Sequence, residues 1–340
     1  MNPHLTVWDI DAADFPERGL TLDKLRFLLR YAILAPSNHN SQPWVFTIRD
    51  NQIELYADRS RSLRCTDPDD RQMLISCGCA LHHLLVAAMH FSIRLGYEIL
   101  PDPEDPDLLA RVGICGSCFP ADENEGLFEA IRQRRTNRQL FRDEALPQGL
   151  KHELQAAAAH AGAWLTFAEI RDQREMIADL VAEGDRLQWA NKRFRLELAA
   201  WTHPSSVPAS DGIPGYAMGS GDLLSVAGPM VIRTFDLGDG QAAKDRDIAR
   251  YSPGLAALGT AGDEPGDWLA AGQALSHVLL LARQHDVFAS FLNQPIENPT
   301  LRPRLAAALA VEGRPQMLLR LGYGPHVSPT PRRTVDEVTV

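Results

Sequence analysis

SCGCALHHLLVAA, residues 76–88, and AAGQALSHVLLLA, residues 270–282, decide how this chain is organised. Gly78, Ala80, Leu81, His83, Leu85 and Ala88 fall on Gly272, Ala274, Leu275, His277, Leu279 and Ala282. Both stretches carry apolar residues at helical spacing around nearly the whole circumference, the pattern of a helix buried on all sides. Small residues on one face let two such helices pack closely. A second pair lies upstream in the same order: LDKLRFLLRYAILAP (22–36) and LKHELQAAAAHAGAW (150–164). Each is an amphipathic helix leading into a Trp-containing strand, WVFTI at 44–48 and WLTFAE at 164–169. After each central helix comes another strand, LARVGIC (109–115) and QMLLRLGYG (316–324). Two pairs with the same neighbours point to a duplicated unit, where one pair of Ala/Leu-rich helices would not. The expected fold is α+β, with two homologous halves, 1–125 and 126–340, forming a pseudo-dimer around long central helices. The second half carries about 65 extra residues between its first strand and its central helix.

Composition narrows the function. Of 340 residues, 45% are hydrophobic and 23% charged, as in soluble globular proteins. A net charge of −10 argues against nonspecific nucleic-acid or anionic-membrane partners. The N-terminal stretch has neither a basic nor an apolar region of the secretory kind, and the apolar runs LHHLLVAAMHF and HVLLLA fall short of a membrane span. Five cysteines, an odd number, are expected as reduced thiols in the cytoplasm. Cys77-x-Cys79 with His82 and His83, and Cys115-x-x-Cys118, point in several directions, so no metal site is assigned. No G-x-G-x-x-G follows a strand, so a separate dinucleotide domain is not expected. No Ser/His/Asp nucleophile arrangement is readable, and no catalytic side chain is named.

APSNHNSQPW, residues 35–44, stops a good helix with polar and ring-constrained residues. Pro36 sets the helix exit because its ring fixes φ and removes a donor. Ser37, Asn38, His39 and Asn40 offer hydrogen-bonding groups of both kinds, and Gln42-Pro43 turns the chain into the strand at Trp44. A helix-terminating turn alone also favours Pro and Asn. RRTNRQLF (134–141) and RLGYGPHVSPTPRR (320–333) supply Arg134, Arg135, Arg138, Arg332 and Arg333, the residue type suited to bidentate recognition of phosphate. In isolation, RRTNR also reads as a solvated helix end.

Together these stretches resemble the nitroreductase superfamily. APSNHNSQPW resembles its flavin loop A-P-S-x-x-N-x-Q-P-W, and RRTNRQLF its R-R-S-x-R-x-F signature. NQPIE (293–297) resembles its P-I/M-E-G turn, and the basic ending its last segment. The match spans roughly residues 20–335, and the two-half layout ending in P-T-P-R-R is similar to the Acg-like branch. The chain departs from the pattern at Asn38, where Ser is usual, and at Asn298, where Gly lets a backbone N–H approach flavin N5. Asn also reaches the left-handed conformation that such a turn uses.

The resemblance implies a nitroreductase-like fold holding FMN. The first half keeps the flavin loop without R-R-S-x-R; the second keeps RRTNR, with HAGAW in place of the loop. Complementary halves imply one FMN per chain, held between them. By resemblance its binding residues are Pro36, Ser37, Asn38, Asn40, Gln42, Arg134, Arg135, Thr136, Arg138, Pro295, Ile296, Glu297, Arg332 and Arg333. Arg134, Thr136 and Arg138 would address phosphate, ribityl chain and pyrimidine edge, with Arg332 and Arg333 closing on the phosphate. The implied activity passes electrons from NAD(P)H through the flavin to a nitroaromatic, quinone or similar acceptor, in a monomer. The alternative is a flavin-sequestering protein with a closed lid. WTHPSSVPASDGIPGYAMGSGD (201–222), rich in Pro, Gly and Ser, reads as a long loop within a lid of about 198–226. A passive surface excursion has the same composition; the family-like D-G-I-P favours a lid.

Overall fold

The computed structural model describes residues 2–118, 122–218 and 222–340. The first half runs α1 (Pro3–Thr6), α2 (Thr21–Ala32), β1 (Trp44–Arg49), β2 (Gln52–Ala57), α3 (Arg71–His90), β3 (Ile93–Ile99) and β4 (Leu108–Ser117). α2 forms because Leu25, Leu28, Leu29 and Ala32 make one buried stripe, and Asp23 caps the Leu20 backbone N–H at its start. β1 and β2 join through Asp50-Asn51, both at positive φ, the two-residue turn that matches strand twist. α4 (Asp122–Gln133) then packs on both α3 and the later central helix and leads into α5 (Gln148–His160) and β5 (Trp164–Phe167). The extra residues follow as α6 (Arg171–Ala190), α7 (Lys192–Ala200), the short parallel pair β6 (Thr202–His203) and β7 (Ile213–Pro214), α8 (Asp222–Thr234) and α9 (Gly238–Tyr251). β8 (Gly254–Thr260), α10 (Pro265–Gln284), β9 (Phe288–Phe291), α11 (Gln294–Glu297), α12 (Arg302–Leu309), β10 (Arg314–Gly322) and α13 (Val335–Val338) complete the chain.

The sheets carry the repeat further than the helices did. One has the order β1-β2-β4-β3 and the other β5-β8-β10-β9, with every neighbouring pair antiparallel. Counted within its own sheet, each reads first, second, fourth, third. The central helix connects the second strand to the third in both. α3 and α10 pack against each other at Gly78 and Gly272. A Cβ on Gly78 would stand 2.4 Å from Leu269 O, and one on Gly272 2.1 Å from Ile75 O. Only hydrogen fits at that crossing. α3 is long and apolar enough to cross a membrane by length and composition, but 78% of its most apolar window is buried inside the protein.

Most of the insertion is helical, whereas the described part of the stretch read as a long loop, 201–218, holds only the short β6/β7 pair and a 3-10 turn at Gly215–Met218. The expected lid bounds of 198–226 run into helices at both ends. Residues 198–200 belong to α7 and 222–226 to α8, while 219–221 lie outside the described residues. Ile177, Leu180 and Val181 of α6 supply the apolar stripe that makes a helix here, and it buries against β8, α9, α11 and α12. β8 is consequently buried on both faces: Ala256 and Leu258 join the central-helix core, Leu255 and Ala257 the insertion core. The C-terminal end reaches across to the first half, where Val340 N donates to Phe46 O on β1, and within the second half Asn137 N donates to Ala289 O at the edge of β9.

Candidate functional site

After α2 the chain makes a compact loop in which His39, Asn40 and Gln42 take left-handed backbone conformations, φ 52, 56 and 51°. Such conformations are costly without glycine and persist where neighbours over-determine them. The neighbours are identifiable. Ser37 Oγ accepts from Gln42 N at 2.9 Å. The buried Gln42 amide donates to Asn40 O (3.2 Å) and Ser210 O (2.8 Å), and its Oε1 accepts from Arg333 N at 2.7 Å. Asn40 donates to Gly212 O and Pro331 O, both at 3.0 Å, and accepts from Arg332 Nη1 at 2.6 Å. Arg61 ties the same regions by pairing with Asp211 and donating to Ser41 O. The loop is therefore gripped between residues 210–212 of the insertion and the C-terminal segment.

Beside it lies a pocket of about 40 Å³ walled by Ser37, Asn40, Thr136 and four arginines: Arg134, Arg135, Arg138 and Arg332. Arg320 holds the 134–138 segment in place by donating from Nη2 to Asn137 O (3.0 Å) and Gln139 O (2.9 Å). No acidic side chain is among the described residues lining this pocket. Burial lowers the pKa of Arg134 and Arg135 to about 10, with Arg134 repelling Arg135. Burial, then repulsion from Arg134 and Arg135, lowers Arg332 further. The Nε groups of Arg134 and Arg332 are buried without a partner among the described residues. Buried charge of one sign with unused donors is costly unless an anion neutralises it. The donor set suits a multiply charged oxyanion.

Pro36, Ser37, Thr136 and Arg138 also line a second cavity, of about 450 Å³, that continues between the halves. α3 contributes Gln72, Ile75, Ser76 and Cys79; the turn at α11 contributes Asn293, Gln294 and Glu297. The insertion closes the remaining wall with residues of α6, α7, β7, α8 and α9. His39 Nδ1 donates to Asn38 Oδ1 at 2.7 Å, leaving Nε2 as a buried, unpartnered acceptor. Burial, reinforced by Arg138, lowers the His39 pKa to about 4, so the ring is neutral. Burial pushes the Cys79 thiol up to about 12, so it stays protonated.

The far wall is acidic. Glu297 accepts from Gln72 (3.0 Å) and Gln188 (2.6 Å). The Gln294 amide donates to both Asp185 (3.2 Å) and Asp245 (3.0 Å). Burial raises the pKa of all three carboxyls. The cavity thus runs from a cationic end to a proton-holding end.

Over 328 residues the chain is 31% identical to the Mycobacterium tuberculosis (strain ATCC 25618 / H37Rv) protein named "Putative NAD(P)H nitroreductase Rv3131", spanning 93% of this chain and 91% of that one. The chain belongs to the nitroreductase family. It is also 28% identical over 332 residues to "Putative NAD(P)H nitroreductase acg" of the same organism, spanning 95% and 97% of the two chains. Among solved structures it is similar to the FMN and NADPH-dependent nitroreductase NfnB from sphigopyxis sp. strain HMH. That likeness has 19% identity, covers 62% of this chain and 96% of that chain, and has a TM-score of 0.40. No protein-family model matches the chain.

Within this nitroreductase-family chain, the residues singled out by sequence divide by position. Pro36, Ser37, Asn38, Thr136, Arg138 and Glu297 line the large cavity; Asn40, Arg134, Arg135 and Arg332 line the arginine pocket. Gln42, Arg333, Pro295 and Ile296 line neither. Gln42 spends its amide holding the loop. Arg333 donates to Gln42 O (3.2 Å) and Glu337 O (2.6 Å), with Asp58 at 3.7 Å, so it braces the loop from behind. Pro295 and Ile296 are buried in the core, and their neighbours Asn293 and Gln294 face the cavity instead. Asn298 is extended, φ −100°, and its side chain caps Thr300, so it does not use the left-handed option. Sequence reasoning missed Gln72, Asp185, Gln188 and Asp245, which sit on helices outside any motif. Asp185 carried one usable signal: it lies four residues after Val181, on the buried face of α6.

Proposed function

We propose that the chain is an FMN-dependent oxidoreductase that takes electrons from NAD(P)H and passes them to a nitroaromatic, quinone or similar small acceptor. The observation that carries this reading is that the four-arginine pocket and the 450 Å³ cavity share a wall of Pro36, Ser37, Thr136 and Arg138. FMN has the matching polarity, a phosphate dianion at one end and a flat ring system at the other. Arg134, Arg135 and Arg332 would hold the phosphate, the unpartnered Nε groups giving unused donors to it. Arg138 and Thr136, at the boundary of the two spaces, would reach the ribityl chain and pyrimidine edge. A cation there favours negative charge developing on the ring. His39 Nε2 would accept a hydrogen bond from the bound molecule, and the insertion would exclude water. When bound, the flavin supplies reversible hydride transfer. The names of the relatives and of the NfnB structure support NAD(P)H and FMN as the groups involved.

One site per chain, built from an N-terminal half (1–125) and a C-terminal half (126–340), would work in a monomer. Five unpaired thiols favour the cytoplasm. The test is direct: the purified protein should release one FMN per chain on denaturation, and anaerobic NADPH or NADH should bleach it. Two FMN per chain, or FAD, would overturn the composite site. A second reading, flavin storage with little turnover, is favoured by the grip of residues 210–212 on Asn40, Gln42 and Arg61. Tight FMN with no bleaching by either nucleotide would select it.

A further inference from the structure

Asp185 of α6 and Asp245 of α9 face each other across the Gln294 amide in the cavity wall. Their surroundings are unequal. Asp245 Oδ2 accepts from both Gln241 (2.9 Å) and Gln294 (3.0 Å). Lys244 on its own helix and Arg320 on β10 favour its anion. Among the described residues, Asp185 Oδ1 has only the Gln294 bond, at 3.2 Å, and its Oδ2 is buried with no partner. Glu297 on α11 adds negative charge near Asp185, while Arg138, elsewhere on the cavity lining, interacts electrostatically with Asp245. Two carboxylates so close cannot both ionise cheaply, and the better-solvated one keeps the charge. The proton therefore resides on Asp185.

We propose that Asp185 is the proton donor to the electron acceptor as that acceptor is reduced. This rests on the flavin reading above. A quinone acceptor needs a hydride, which the flavin would supply when bound, and a proton, which the Asp185 carboxyl would supply. The carboxyl O–H bond breaks, an O–H bond forms on the acceptor, and hydroquinone leaves with two electrons and two hydrogens gained. A nitro group taking the same hydride and proton gives a nitroso group and water. Asp185 is left as a carboxylate and is reloaded from solvent. Hydride transfer from the nicotinamide to flavin needs no such donor, so the two half-reactions separate the role.

The decisive variant is Asp185→Asn in FMN-loaded protein. Infrared titration should show a protonated-carboxyl C=O band in the wild type at neutral pH that disappears only on the alkaline side and is absent from the variant. In stopped flow with benzoquinone, the variant should slow flavin reoxidation about 100-fold, within the usual range for a general acid, and abolish its alkaline fall. Bleaching by NADPH should stay within about two-fold, since no proton donor enters that step. If Asp185→Asn does not fold, Asp245→Asn serves: removing the like charge should move the alkaline limb of reoxidation to lower pH. No such band at neutral pH, or bleachable FMN with unchanged reoxidation in Asp185→Asn, overturns this proposal alone. Wild-type protein that binds no FMN overturns the functional reading with it.

Discussion

Asn40 and Arg332 lie 292 residues apart in the chain and are joined by a 2.6 Å hydrogen bond from Arg332 Nη1 to Asn40 Oδ1. The bond fastens the first-half loop to the C-terminal segment at the wall of the arginine pocket. Asn40 also holds Gly212 and Pro331 while sitting at φ 56°, so one small amide organises three parts of the chain. Asn40→Ala should strand those partners and lower stability by roughly 1–3 kcal/mol. Flavin should also be held less tightly. Urea unfolding and flavin fluorescence would read both, and unchanged values in each would refute the clamp.

Arg134→Ala should separate binding from stability. Losing one charge-assisted phosphate contact, about 1.5–3 kcal/mol, weakens FMN binding roughly ten- to a hundred-fold. In flavin-free protein the same change removes an uncompensated buried charge, so stability should hold or rise. A large stability loss without flavin would mean that Arg134 is a structural residue.

Gly272→Ala places a methyl group where Ile75 O already stands, 2.1 Å from the ideal Cβ. That neighbour is backbone and can yield only if α3 and α10 move apart. A loss of about 1–3 kcal/mol is expected, visible as a lower urea midpoint. An unshifted midpoint would show that the helices separate freely.

Stability should fall as the solution turns acidic. Burial holds His83 neutral, well below its ordinary pKa of 6.5, and lowers His82 to about 3, with His277 and His160 repelling its charged form. Above 6.5 neither the folded nor the unfolded chain protonates these rings, and their contribution is full. Below it the unfolded chain binds protons that the folded one refuses. Each ring then costs up to about 1.4 kcal/mol per pH unit until its folded pKa is reached. His83→Gln should flatten that slope by one proton in urea titrations between neutral and mildly acidic pH. An equally steep slope would place the effect elsewhere.

The insertion segment that grips the 37–42 loop, just ahead of Ile213 in the cavity wall, is pinned through Arg61 and Asp211. Arg61→Ala should raise protease cleavage within residues 204–210 and speed FMN dissociation, because the bond that holds the segment down is gone. A changed cleavage rate with unchanged dissociation would mean that the segment does not retain the ligand.

The repeated helices, the strand after each of them, the stop at Pro36 and the residue types of the arginine pocket are legible in the chain itself. These are local or periodic signals: an all-round apolar helix, a glycine at a crossing, a ring that fixes φ. Which side chains reach the cavity is settled by how the folded elements meet. Gln42 and Arg333 belong to the same motifs as Asn40 and Arg332, yet they brace the loop from behind, because spacing within a motif does not tell which way a left-handed loop turns each side chain. α6 of the insertion carries a legible apolar stripe at Ile177, Leu180 and Val181, whereas the Pro- and Gly-rich stretch at 201–222 has no such periodicity. Asp185, Asp245 and Gln294 meet from three helices spread over 109 residues of chain. Their shared proton arises from burial and mutual repulsion, which exist only once the chain has folded.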